Sequence, residues 1–221
     1  MADSAMRAHL LFDLDGTLSD PSVGIARCIN HGLQALGYEP RPEPSLHRYI
    51  GPPLDETFRA LTGRDEVTHL ADLVAAYRVR YAESGYAENT LYAGVPEALQ
   101  ALRQAGAVLG VVTSKRVDFA EQILELFGLR QHFAWVSGGE IGTPKWQQLR
   151  QLCEQGQVAS SAVMIGDRDV DLQAAHRNSL RSAAVYWGFG SAEELQAEQP
   201  HHHCHAPADW LRLWPASASG L

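Results

Sequence analysis

Beyond Gly94 the sequence keeps one rhythm, in which short apolar runs take turns with helix-length segments. VLGVVTS at 108–114 is followed by a helix from about Val117 to Phe127. FAWVSG at 133–138 precedes a helix from about Pro144, AVMIGD at 162–167 precedes another helix, and SAAVYWG at 182–188 closes the series. Strands separated by helices cannot pair as hairpins, so the rhythm predicts a parallel sheet with helices on both faces. The run Leu10–Phe12 reads as a further buried strand of that sheet. About seventy residues of different texture follow it, from Asp20 to Asn89. Within them Ile25, Cys28, Ile29, Leu33 and Leu36 recur at helical spacing, as do Val67, Leu70, Leu73, Val74, Tyr77 and Tyr81, on either side of the proline-rich elbow PRPEP. The expected organisation is an α/β core of residues 1–19 and 90–221 interrupted by a helical domain at 20–89.

Each apolar run of the core ends in a chemically pointed residue. Asp13 and Asp15 end the first and Thr113 and Ser114 the second, Lys145 follows the third, and Asp167 opens the turn after the fourth, with Asp171 close behind. In open α/β sheets ligands bind at the carboxyl edge of the strands. If these loops share that edge, Asp13, Asp15, Asp167 and Asp171 crowd one site, where two carboxylates about 4 Å apart repel by about 4 kcal/mol at an effective dielectric near 20. Such crowding calls for a cation, and hard oxygen donors with few neutral ligands favour Mg²⁺, which keeps waters and shares itself with a substrate phosphate. The Thr113 hydroxyl, with Ser114 beside it, and the point charge of Lys145 suit phosphate oxygens.

Composition narrows the partners. The 221 residues are 45% hydrophobic and 20% charged, enough apolar content for a sizeable core. A net charge of -8 with only two lysines, Lys115 and Lys145, argues against a nucleic-acid binder. MADSAMRAHLL lacks the apolar stretch of about 7 to 15 residues that a signal peptide needs, and no run reaches membrane-spanning length, so a cytoplasmic protein without a membrane partner, monomeric or homodimeric, is expected. Three scattered cysteines, Cys28, Cys153 and Cys204, suggest neither a disulfide framework nor a zinc site.

DLDGT at 13–17, the strand ending in Thr113, Lys145, and GDRDVD at 166–171 resemble, in this order, the four motifs of the haloacid dehalogenase superfamily. GPPLDETF at 51–58, ENTLYAGVPEAL at 88–99 and YWGFGSAEEL at 186–195 resemble more closely its phosphoglycolate phosphatase-like branch. The resemblance implies a Rossmann-like parallel-sheet core whose α-helical cap is inserted after the first motif. It implies that Asp13 attacks phosphorus to form an aspartyl-phosphate, while Asp15 protonates the leaving alcohol and then activates water. It further implies that Thr113 and Lys145 hold the phosphoryl oxygens and that Mg²⁺ is bound by Asp13, the main-chain carbonyl of Asp15, and Asp167, with Asp171 steering Lys145 or a metal-bound water. HHHCHAPADW falls where relatives carry an apolar edge strand, which predicts an irregular carboxyl-terminal edge.

The expected function is Mg²⁺-dependent hydrolysis of a small phosphorylated metabolite, with 2-phosphoglycolate leading. A 5′-nucleotidase acting on nucleoside monophosphates and a non-hydrolytic binding protein of the same fold are the alternatives. Haloacid dehalogenation needs no acid two residues after the nucleophile, so Asp15 argues against it. The region 20–89 holds seven arginines and no lysine, which removes the amine that a Schiff-base cleavage of phosphonoacetaldehyde would require. Among those arginines Arg48, Arg78 and Arg80 could meet a substrate's distal charge, Arg48 first because it adjoins the loop IGPP. Lys115 reads as a solvated residue at the start of a helix. GDRDVD is compatible with a helix cap as well as a metal site. HHHCH reads as an exposed edge or an adventitious metal binder, because five adjacent side chains cannot all face one ion.

Overall fold

The computed structural model describes residues 8–51, 53–140 and 142–214. In chain order the strands are β1 (Ala8–Phe12), β2 (Ser19–Asp20), β3 (Thr90–Leu91), β4 (Leu109–Val112), β5 (Phe133–Ser137), β6 (Val158–Gly166), β7 (Arg181–Val185) and β8 (His202–Cys204). The helices are α1 (Ser22–Ala35), α2 (Glu43–Leu46), α3 (Leu54–Thr62), α4 (Val67–Glu83), α5 (Val95–Gln104), α6 (Val117–Leu126), α7 (Lys145–Glu154), α8 (Asp169–Arg177) and α9 (Ala192–Ala197). Two compact units result: one runs through Ser19 and resumes at Leu91, the other is Asp20–Thr90.

The first unit is built on a six-stranded sheet of order β5-β4-β1-β6-β7-β8, with every neighbouring pair parallel. From β1 the chain steps outward through β4 to β5, then returns to β6 on the other side of β1. With right-handed crossovers, the two directions of travel put α5 and α6 on one face and α7 and α8 on the other. Alternation along β1 serves both faces. Leu11 packs with Val112 and Met164 against Leu149 and Leu152 of α7 and Ala174 and Ala175 of α8. Phe12, one residue on, meets Trp210 edge-on at 4.9 Å and Phe133 at 6.0 Å between ring centroids. The reversal of direction lies between β1 and β6, and at such a switch point the strand ends leave a crevice for ligands.

Three features depart from the expectations. Strand β6 starts at Val158, ahead of the AVMIGD run, because a register shift against β1 lets Ala8 pair with Val158 and Leu10 with Val163. The sequence reading assigns no helix to α5, yet Val95, Ala98, Leu99 and Leu102 are buried at the i, i+3, i+4, i+7 spacing of an amphipathic helix. The burial of Leu99 and Leu102 stabilises the fold by about 2 kcal/mol each. The carboxyl-terminal edge is regular, not irregular: β8 pairs in parallel with β7 through Ala183 and His202, Ala184 and His203, and Val185 and Cys204. Three of the tract's imidazoles, those of His201, His203 and His205, find partners in the neighbouring strand and turn. The Ser182 amide donates to His201 Nδ1 at 3.2 Å, and the Tyr186 ring stacks with those of His203 and His205.

In the second unit α1 and α4 carry the two expected stripes. Ile25, Cys28, Ile29 and Leu33 are buried with Leu70, Leu73, Tyr77 and Tyr81, while Val67, which opens α4, is 82% exposed. Phe58 adds a fully buried ring from α3, a helix the periodicity argument does not assign. Arg80, one of the three arginines that could have met a substrate, is engaged within the helical unit. Its guanidinium grips Glu88 through two bonds of 2.8 and 3.0 Å, and Arg27 reaches the same carboxylate at 2.9 Å.

Candidate active site

Asp13 follows the last residue of β1 and is held there by its own amide, which donates to the Ile165 carbonyl of β6 at 2.9 Å. The following turn depends on Gly16. Its φ is +81°, and a Cβ placed there would lie 2.1 Å from Asp167 Oδ2. A residue without a side chain is therefore what lets the first loop close against the fourth. Asp167, fully buried at the end of β6, accepts the Phe189 amide at 2.8 Å and the Thr17 hydroxyl at 3.3 Å. Asp171 lies in the first turn of α8, where one carboxylate oxygen accepts the Arg168 amide at 3.1 Å and caps the helix. Its other oxygen accepts a 2.5 Å bond from Lys145 Nζ.

Lys145 opens α7, and its ammonium stands between two carboxylates, 2.5 Å from Asp171 and 3.0 Å from Asp13. Burial by itself would lower its pKa. The paired charges of Asp13 and Asp171 outweigh that and hold it above the usual lysine range. Asp13, Asp167 and Asp171 bring ligand oxygens within 4.8 Å of one another, and they are the one such group of three or more acidic, histidine or cysteine side chains among the described residues. Burial, followed by the charges of Asp171 and Asp13, pushes the Asp167 carboxyl well above the usual range. Burial likewise lifts Asp171 to about 6 against the opposing pull of Lys145.

The donor set fits a divalent cation. Asp13 Oδ1 is shut off from solvent and has no aligned hydrogen-bond donor, although the Lys145 ammonium is nearby. Three crowded, buried carboxylates share one ammonium, and hard oxygen donors of this kind suit Mg²⁺, Mn²⁺ or Ca²⁺.

Not every expected residue joins that cluster. The Asp15 carboxylate stands apart from it, with Oδ2 paired to Lys115 Nζ at 2.8 Å. Burial raises its pKa and Lys115 opposes the rise. Thr113, directly after β4, is almost fully buried, whereas Ser114 beside it is exposed. Arg48 lies exposed in the helical unit, its guanidinium 5.1 Å from the centre of its neighbour Tyr49's ring.

Lys115 corrects the sequence reading: its side chain is 9% exposed, not solvated, because the Asp15 carboxylate compensates the buried charge. The signal was its rarity, one of two lysines, placed directly after the strand-end Thr-Ser. Gln148 went unread as well. It lies one turn beyond Lys145 on α7, and its amide donates to the Ser137 carbonyl at 3.0 Å and the Thr113 carbonyl at 3.3 Å, tying the ends of β4 and β5 to that helix. Trp187 Nε1 donates to the Thr17 carbonyl at 3.1 Å and braces the first loop from β7's far end. The histidine tract takes no part in the acidic site, and Cys204 within it is buried, with its thiol pushed up to about 12. No helix among the described residues is long and apolar enough to cross a membrane.

The sequence matches the haloacid dehalogenase-like hydrolase family over residues 10–185. It is 41% identical over 209 residues to a Pseudomonas aeruginosa protein named 5′-nucleotidase, covering 92% of this chain and 94% of the relative. It is 32% identical over 222 residues to a phosphoglycolate phosphatase of Vibrio parahaemolyticus, covering 95% and 96% of the two chains. Among solved structures, a predicted phosphatase from Clostridium acetobutylicum is similar with a TM-score of 0.84 and 33% identity over 94% of this chain and 97% of that one.

Proposed function

Because the chain belongs to the haloacid dehalogenase-like hydrolase family, we propose that its acidic site hydrolyses small phosphomonoesters, 2-phosphoglycolate first among them, through an aspartyl-phosphate on Asp13. The observation that carries this reading is the buried Lys145 ammonium held between Asp13 and Asp171 beside a third buried carboxylate. A nucleophilic carboxylate flanked by a fixed cation is suited to a dianionic phosphoryl group.

In the first half-reaction an Asp13 oxygen forms a bond to phosphorus, and the bond from phosphorus to the leaving oxygen breaks. The electron pair goes to the leaving oxygen, which takes a proton from the Asp15 carboxyl. In the second, Asp15 takes a proton from water, the water oxygen bonds to phosphorus, and inorganic phosphate leaves as the Asp13 carboxylate is restored. Thr113 donates its hydroxyl to a phosphoryl oxygen, Ser114 stands beside it for a second, and Lys145 offsets the phosphoryl charge while Asp171 orients it. Asp13, the Asp15 main-chain carbonyl and Asp167 would hold Mg²⁺, with Asp171 close by. When bound, the ion would offset the negative charge that the carboxylates and the phosphoryl group accumulate.

The helical insert, taken as residues 20–89, is assigned the cap role, with Arg48 as its candidate for the substrate's distal charge. The reading carries with it a cytoplasmic location, free phosphorylated metabolites as substrates, and a monomer or homodimer. A second reading, hydrolysis of nucleoside 5′-monophosphates, is favoured by the identity to the Pseudomonas aeruginosa 5′-nucleotidase. The deciding experiment measures phosphate release from 2-phosphoglycolate, the nucleoside 5′-monophosphates and a wider panel of phosphorylated metabolites in Mg²⁺. The highest kcat/KM on 2-phosphoglycolate supports the first reading, and the highest on a nucleotide supports the second. Absence of turnover on every ester would leave a binding protein.

A further inference from the structure

Thr113 and Lys115 sit two residues apart in the loop after β4, and Lys115 touches both sides of the site. Its ammonium lies 2.8 Å from Asp15 Oδ2, and its backbone amide donates to Thr113 Oγ1 at 3.2 Å. The other Asp15 oxygen, Oδ1, is cut off from solvent and meets no hydrogen-bond donor. A carboxylate pinned at one oxygen can turn no further about its last torsion, so the pin decides where the other oxygen points. A hydroxyl offers one hydrogen and two lone pairs. When the Lys115 amide occupies a lone pair of Thr113, the hydrogen is left to serve a ligand. A lysine side chain this buried stays only where its partner is fixed.

We propose that Lys115 is a positioning residue that joins the two halves of the reaction: its ammonium turns Asp15 Oδ1 toward the leaving oxygen, and its amide turns the Thr113 hydroxyl toward the transferred phosphoryl group. The proposal rests on the phosphatase reading of the same site. It concerns geometry, since an acid aimed away from the leaving oxygen loses its contribution whatever its charge state. That contribution is typically about 10² to 10⁴ in rate.

The test exploits leaving groups. Ethoxide needs a proton as it departs, whereas p-nitrophenolate does not. In Lys115→Met the backbone amide stays and the ammonium goes. With Mg²⁺ present, kcat/KM for ethyl phosphate should fall about 100-fold, the low end of the general-acid range, and at least tenfold more than kcat/KM for p-nitrophenyl phosphate. Lys115→Arg, which keeps a cation, should recover most of the lost ratio. A purely structural role would lower both substrates together, so a ratio within about threefold of the wild type overturns the proposal whether or not activity falls. Circular dichroism checks folding, and Lys115→Gln is read by the same ratio if the methionine variant does not fold. The wild-type enzyme separates the two claims: no hydrolysis of either ester or of any member of the metabolite panel overturns the phosphatase reading, while hydrolysis with an unmoved ratio overturns the role of Lys115 alone.

Discussion

Replacing Gly16 with alanine probes the contact on which the acidic site is assembled. Two costs can be read from the geometry. The backbone holds φ at +81°, a left-handed conformation that costs a residue with a side chain about 1 kcal/mol. The added methyl would also lie 2.1 Å from Oδ2 and 2.5 Å from Cγ of Asp167, well inside contact distance. Asp167 cannot swing aside without giving up its bonds from the Phe189 amide and the Thr17 hydroxyl. Overpacking of a close-packed site costs about 1 to 3 kcal/mol. The two together come to about 3 kcal/mol, which lowers Tm by about 6 to 12 °C in a chain of this size. Gly106→Ala isolates the first cost, because φ there is +85° and nothing lies within 4 Å of the added methyl. It should lower Tm by only about 2 to 4 °C. Scanning calorimetry of both variants in EDTA gives the comparison, and phosphatase activity should fall far more in Gly16→Ala. If the two variants melt within about 2 °C of each other, the close approach of the first loop to Asp167 is refuted.

Removing divalent metal with EDTA should abolish turnover, and Mg²⁺ should restore it. The metal-free protein should also show an unusual pH response. Asp171, lifted by burial to about 6, and Asp167, pushed well above the usual range, hold protons in the folded state that the unfolded chain releases near pH 4. The contribution of Asp171 to stability is therefore complete below about pH 4 and is lost as pH rises through about 6, and Asp167 acts in the same direction. Tm in EDTA should fall between pH 5 and pH 7, and Mg²⁺ should reverse the loss by replacing protons; a rise over the same window in EDTA would contradict the assignment. Asp13→Asn should lose turnover on every ester, whereas Asp15→Asn should still form a phosphoenzyme from p-nitrophenyl phosphate, detectable by mass spectrometry. Near-normal turnover in Asp13→Asn would remove it from the nucleophile's role. Arg80→Met should lower Tm by about 2 to 4 °C, the effect of a partly exposed ion pair worth about 1 kcal/mol, and leave kcat/KM unaltered; a marked rise in KM would return Arg80 to the substrate side.

Periodicity and residue order carried far along this chain. The α/β class and the strands ending at Asp13, Thr113 and Asp167 were legible because a parallel strand buried on both faces must be a continuous apolar run, and its end is marked where polar residues begin. The stripes of α1 and α4 were legible for the same local reason. The placement of Asp13, Thr113, Lys145 and Asp167 at strand ends and at the start of a helix could be read because each directly follows an apolar run or opens the next helix. Tertiary structure alone decided which of these side chains meet. That Lys145 takes Asp13 and Asp171, while Asp15 turns away to Lys115, depends on the positions of β1, β4, α7 and α8 in space, and no local pattern encodes contacts between residues on separate elements so far apart in the chain. Burial reversed the reading of Lys115 for that reason, since a lone lysine in a polar loop looks solvated until its carboxylate partner is known. It also turned HHHCH from an irregular tail into an edge strand, because Ser182 and Tyr186, which bond the His201 and His203 imidazoles, lie on and beside β7 and reach them only once the sheet has formed.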